Sequence, residues 1–148
     1  MNLDPLRSTP MGYWHLAAQY FQAAEAVRAS TKLMFPTLQL YGQSIELVLK
    51  SFLLKRGVSL GDVERMRHRL HEITAVSRRR RLGLQVKLSA NDLALIALLS
   101  ESYSTHRFRY IVTGSLRVPE VKRIASIAER LLLALESYCA GSSWGIRR

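Results

Sequence analysis

The amino-acid sequence predicts an all-α protein, a single-domain up-and-down bundle of four to five helices over residues 11–141, with a loose arm at 1–10 and a short tail at 142–148. Three observations carry that prediction. Apolar residues recur at helical spacing in five separate segments. Two of those segments open on a serine followed three residues later by an aspartate, a capping signature. The longest is bracketed by Pro36 and Gly57, which suit the first position of a helix and the left-handed stop after its last turn. A chain of 148 residues makes one domain with a real core, and 48% apolar with 22% charged residues is a globular rather than a disordered composition.

The arm from Met1 to Pro10 holds two prolines and no periodic pattern. Helix one runs from Met11 to Ser30, with Trp14, Ala17, Phe21 and Ala24 on one side, joined by Leu16, Tyr20 and Val27. The alanines allow close approach of a neighbour, and His15 reads as an exposed or capping residue. The central helix, Pro36 to Gly57, carries two apolar faces. Leu38, Tyr41, Ile45, Val48, Leu49, Phe52 and Leu53 form one, and Leu40, Leu47 and Leu54 the other, so the helix is touched from two sides. Between the faces runs a polar wedge of Gln39, Gln43, Glu46 and Lys50. Glu46 stands four residues before Lys50, the better orientation for an ion pair, and the two read as a structural polar pair.

Ser59 and Asp62 open a third helix, read as continuous through Val63, Met66, Leu70 and Ile73. Residues Leu82 to Leu88 make a connector or a brief extended piece. Ser89 and Asp92 cap a fourth helix that Leu93, Ile96, Ala97 and Leu99 carry to Tyr103. Pro119 opens the last helix, whose stripe of Val121, Ile124, Ala128, Leu131, Leu132 and Leu135 ends near Gly141.

The formal charge of +11 favours association with phosphates, nucleic acid or an anionic surface. Arginine outnumbers lysine 17 to 5, which suits bidentate phosphate contacts, although a high-GC genome gives the same bias. The lone Cys139 makes no internal disulfide and has no metal-ligand spacing, so it reads as a packing residue in a reducing compartment. With no basic-then-apolar leader and no apolar run approaching ~18 residues, the expectation is a soluble cytoplasmic protein with no membrane partner.

Within this charge one segment stands out. Arg65, Arg67 and Arg69 precede the run Arg78, Arg79, Arg80 and Arg81, and only Glu72 opposes them. Like charges in a run repel, so Arg78 to Arg81 belong at a helix end or in a loop. There they either complement the helix dipole or contact phosphates without base specificity. Arg107 and Arg109 alternate with Phe108 and Tyr110, which serves phosphate contact with base stacking, or the anchoring of a loop. On a continuous third helix Glu64, His68 and His71 project together, but their spacing matches no zinc motif, so neither a metal nor a cofactor is expected. No P-loop, dinucleotide fingerprint, hydrolase elbow or cysteine-protease arrangement is present.

The central Gln43-Ser44-Ile45-Glu46-Leu47-Val48-Leu49-Lys50-Ser51-Phe52-Leu53 resembles the second-helix signature of HEPN-like helical domains. His68-Arg69-Leu70 with Ile73 is similar to the His-Asp-Leu-x-x-Leu segment of such domains, with Arg69 in place of the aspartate and Arg67 in place of the usual glycine. Arg109-Tyr110 after the fourth helix is similar too. The resemblance covers residues 11 to 138 and implies an all-α, often dimeric bundle that binds or cleaves RNA in toxin–antitoxin and defence systems, or works beside a nucleotidyltransferase. Its partners would be RNA, a cognate antitoxin or a nucleotidyltransferase, and a second copy of itself. Active members carry an arginine, four to six residues, then a histidine. Arg65 and His71 have that spacing, but Met66 follows the arginine where a polar residue is usual, and on one helix the two side chains would point roughly 120° apart. Arg65, His68 and His71 are therefore the catalytic candidates of the alternative reading, a metal-independent ribonuclease, beside the main reading of a module that binds RNA or a partner protein through its basic surface.

Overall fold

The central helix organises the molecule as its two apolar faces require. The structure, a computed structural model, describes residues 8–105 and 117–141; the start of the arm, the segment with Arg107 and Arg109, and the tail lie outside the described residues. Six helices run in the order α1 (Pro10–Ser30), α2 (Met34–Lys55), α3 (Leu60–Arg65), α4 (Leu70–Arg79), α5 (Ala90–Tyr103) and α6 (Val121–Ala140), with a 3-10 turn at Leu82–Leu84. No strand occurs among the described residues. The packing of α2 reaches all five other helices, most extensively α1 and α6. All seven residues of its first predicted face are fully buried, and Leu40, Leu47 and Leu54 lie partly buried against the same core.

Small and hydrogen-bonding side chains set how closely the helices approach. Ala17, Ala18 and Ala24 are buried on α1, and the Ser44 hydroxyl of α2 donates to the Ala17 carbonyl at 2.8 Å. Trp14 is buried with its indole N–H donating to the Leu132 carbonyl of α6 at 3.1 Å, so one aromatic side chain both fills the core and orients α1 on α6. His15, expected exposed or capping, is instead half-buried with its ring edge-on to Trp14.

The ends obey the local signals, with one shift. Thr9 caps α1, Ser59 caps α3, and Ser89 and Asp92 exchange both bonds of a capping box at 3.0 and 2.9 Å. The start of α2 is Met34, two residues before Pro36. A proline is tolerated throughout the first turn, where no N–H has an intrahelical partner, so it marks the turn rather than the residue.

The predicted third helix is not continuous. It stops at Arg65 and resumes at Leu70, giving six helices rather than four to five. Between them Arg67 adopts a left-handed conformation at φ 48°. Contacts from other helices hold the chain there. Lys50 donates to the Arg67 carbonyl at 2.6 Å, and the Ser104 hydroxyl donates to the His68 carbonyl at 2.7 Å. The amides that open α4 are capped from α5: Leu70 N–H meets Ser104 Oγ at 3.4 Å and His71 N–H meets Ser100 Oγ at 3.0 Å. A continuous helix would claim those same carbonyls and amides for its own ladder.

Candidate nucleic-acid interface

The site is built around a buried carboxylate. Glu46 is 5% exposed, and three donors from three parts of the chain converge on it. Lys50, one turn along α2, reaches Oε2 at 2.9 Å, with both side chains buried. The Tyr103 hydroxyl at the end of α5 donates to Oε1 at 2.7 Å, and His68 Nδ1 from the α3–α4 turn lies 2.9 Å from the same oxygen. A carboxylate that takes protons from an ammonium and a phenol acts as an acceptor, so the network assigns the contact as Nδ1–H donating to Oε1. Tyr13 of α1 borders the cluster. Burial first, then Glu64 and Glu46, push its phenol above the ordinary tyrosine range.

Gly42 admits this arrangement. It lies one turn before Glu46 on α2, and a β-carbon there would stand 2.5 Å from Tyr103 Cδ1 and 2.7 Å from Cε1. Only a residue without a side chain lets this edge of the Tyr103 ring press against the helix with its hydroxyl on Glu46. Below the ring, Ser104 spends its proton on the His68 carbonyl, so in the 2.9 Å contact between the two serines Ser100 is the donor. The cluster thus ties the α3–α4 turn to α2 and α5 at once.

Outside this buried layer lies the arginine face. Arg65, Arg67 and Arg69 surround the turn, and Arg78 to Arg81 sit at the C-terminal end of α4, where Arg81 is left-handed at φ 68°. All seven are exposed. Arg65 pairs with Asp62 at 3.1 Å and Arg69 with Glu72. Among the described residues, Arg67 and Arg78 to Arg81 have no ion-pair partner. The run occupies a helix end, as charge repulsion predicts, because α4 turns Leu70, Ile73, Thr74 and Ser77 inward and leaves its exit to solvent.

The break rearranges the other candidates. Glu64 falls on α3, His68 in the turn and His71 on α4, and among the described residues no group of three His, Cys, Asp or Glu side chains is placed to hold a metal ion. Arg65 and His71 now belong to different helices, and no hydrogen bond or ion pair joins them among the described residues. His68 is the histidine the fold singles out, with its Nδ1 on Glu46 and its side chain 42% exposed. Cys139 is buried, and burial pushes its thiol up to about 11, which makes it a poor nucleophile.

Sequence reasoning found Glu46 and Lys50 through their spacing and His68 as one of three candidates. It missed Tyr103, Gly42 and the Ser100–Ser104 clasp. A glycine inside a long helix and two serines four apart at the end of the apolar α5 were the available signals. It also missed the bidentate Arg130–Asp92 pair, at 2.8 and 3.0 Å, which joins α6 to the start of α5. Protein-family models, curated proteins and solved structures give no match to the chain.

Proposed function

We propose that the chain is a HEPN-like helical module that binds RNA through the arginine face between Arg65 and Arg81. The observation that carries the reading is the set of five exposed arginines, Arg67 and Arg78 to Arg81, that meet no carboxylate among the described residues. Guanidinium groups presented without carboxylate partners bind phosphates with no ion pair to break first. The resemblance of the central helix to HEPN-like domains agrees with an RNA ligand. On that resemblance the module would work as a homodimer in a toxin–antitoxin or defence system, with an antitoxin or a nucleotidyltransferase as protein partner, and the lone Cys139 fits a reducing cytoplasm. No described helix is long and apolar enough to cross a membrane.

The test is the salt dependence of binding to an unstructured RNA. For single strands log K falls with log salt by about 0.7 per phosphate neutralised, so replacing Arg78 to Arg81 by Ser should flatten the slope by up to about 3. The loss should be similar for unrelated sequences, because phosphate contacts carry no base information. Binding that ignores salt, or no binding at low salt, removes RNA and leaves a protein partner for the basic surface. Sedimentation that finds only monomer at tens of micromolar removes the homodimer.

A second reading, a metal-independent ribonuclease, is favoured by one specific contact. Glu46 holds Nδ1 of the half-exposed His68 beside Arg67 and Arg69, which is how a carboxylate orients an imidazole for general-base work on a 2′-hydroxyl. Cleavage in the presence of chelator that His68→Ala abolishes, while the fold persists, selects this reading. RNA retained intact selects the binding module.

A further inference from the structure

We propose that the groove between the α1–α2 corner and the start of α6 is a docking site for an acidic, amphipathic segment of a partner protein. The groove is about 430 Å³, lined by Arg28, Lys32, Leu33, Met34, Val121 and Lys122 among others. Its neighbourhood holds the main exposed apolar run of the described surface: Leu33 is 57% exposed, Met34 43% and Phe35 38%. Adjacent apolar side chains exposed beside a concavity, Leu33 and Met34 in its lining, mark a contact surface. The rim then selects the partner. Arg28, which pairs with Glu25 at 3.6 Å, Lys32 and Lys122 border the groove against one lining carboxylate, Glu120, which already pairs with Arg123 at 3.3 Å. Among the described residues neither Lys32 nor Lys122 has an ion-pair partner.

An occupant must therefore bring apolar side chains for the floor and carboxylates for the rim, which is how an amphipathic segment is seated in a groove. A second copy meeting this groove about a two-fold axis would set Arg28, Lys32 and Lys122 against the same cations. A lipid surface takes up the apolar face of a helix lying in its plane and would leave a concavity unfilled. The groove is separate from the arginine face: roughly 24 Å of α2, at about 1.5 Å per residue, lies between Met34 and Lys50, the residue that holds the Arg67 carbonyl. One module could thus carry RNA and an acidic partner together.

The probe is a fluorescein-labelled helical peptide with leucines on one face and glutamates on the other, titrated with the full chain and read by anisotropy. Lys32→Glu with Lys122→Glu should weaken it by about tenfold or more and turn the preference to the same peptide carrying lysines for glutamates. Met34→Asp, a change at an exposed position, should weaken both peptides, while Ser at Arg78 to Arg81 should leave binding unchanged. Circular dichroism confirms that each variant keeps its fold. The proposal is overturned if the peptide does not bind, if it binds all groove variants equally, or if the Arg78 to Arg81 replacement abolishes binding. It is equally overturned if Met34→Asp removes RNA binding, self-association or adhesion to phosphatidylserine vesicles in place of peptide binding.

Discussion

Glu46→Ala should lower the unfolding free energy by about 2–4 kcal/mol, and the structure shows where that figure comes from. Removing the carboxylate strands the Lys50 ammonium, whose side chain is 7% exposed, and breaking a buried pair from one side costs about 3–5 kcal/mol. The buried Tyr103 hydroxyl also loses its acceptor, a loss of about 1–3 kcal/mol. Two features reduce the total. Lys50 keeps the Arg67 carbonyl at 2.6 Å, and His68, with 42% of its side chain exposed, regains water. The assay is chemical denaturation of Glu46→Ala, Lys50→Met and the double variant. The double variant should be more stable than the two single changes predict by about 1 kcal/mol or more, because it leaves no charge stranded. A single-variant effect within about 0.5 kcal/mol, or additive changes, would refute the reasoning by placing both side chains effectively in water.

The other predictions test the surroundings of that cluster. Gly42→Ala should destabilise despite a better helix former, since forcing the Tyr103 ring aside costs about 1–3 kcal/mol against a gain of about 1. In a Tyr103→Leu background the same change should become neutral or stabilising by denaturation. Arg67→Gly should relieve a left-handed side-chain penalty of about 1 kcal/mol and raise the melting temperature while weakening RNA binding; a stability loss equal to that of Arg67→Ala would discount the strain. Asp92 is held below the ordinary aspartate value of 3.8, first by the Arg130 guanidinium and further by Ser89. A depressed acid stabilises the fold above its unfolded value and loses that contribution as pH falls through the folded one. Asp92→Asn should therefore cost about 1–2 kcal/mol at neutral pH, and its stability should converge with that of the unaltered chain once the pH falls well below 3.8.

What the sequence reveals and what it hides divide along contact range. The buried face of α2 was readable residue by residue because a helix packed on several sides imposes its period on the sequence, and the Ser89–Asp92 cap because its partners lie three apart. The break at 66–69 was not readable. Met66-Arg67-His68-Arg69 contains neither proline nor glycine, and Val63, Met66, Leu70 and Ile73 hold helical spacing straight across it. The interruption is imposed by Lys50 and Ser104, distant in sequence, and the left-handed arginine stands where the resembled family has a glycine. The same limit hid Tyr103 and the Arg130–Asp92 pair. For Arg107 and Arg109 the described residues give no placement.

The buried ions have a use that stability alone does not supply. Hydrophobic side chains of similar volume in place of Glu46 and Lys50 would often serve the fold as well or better. They could not, however, bind the Arg67 carbonyl or His68 Nδ1, and the α3–α4 turn depends on the first of these contacts and on the serine clasp. Without that anchoring the helical periodicity would run on from α3 into α4, turning Arg67, His68 and Arg69 to different bearings around a single helix. The interrupted path instead carries them in one turn with His68 on the carboxylate, and it fixes where α4 begins, and hence where Arg78 to Arg81 emerge at its end. Apolar replacement of Glu46 and Lys50 together is thus the change that separates folding from display: stability can survive it, while the turn that carries Arg67 and Arg69 is left with the serine clasp alone.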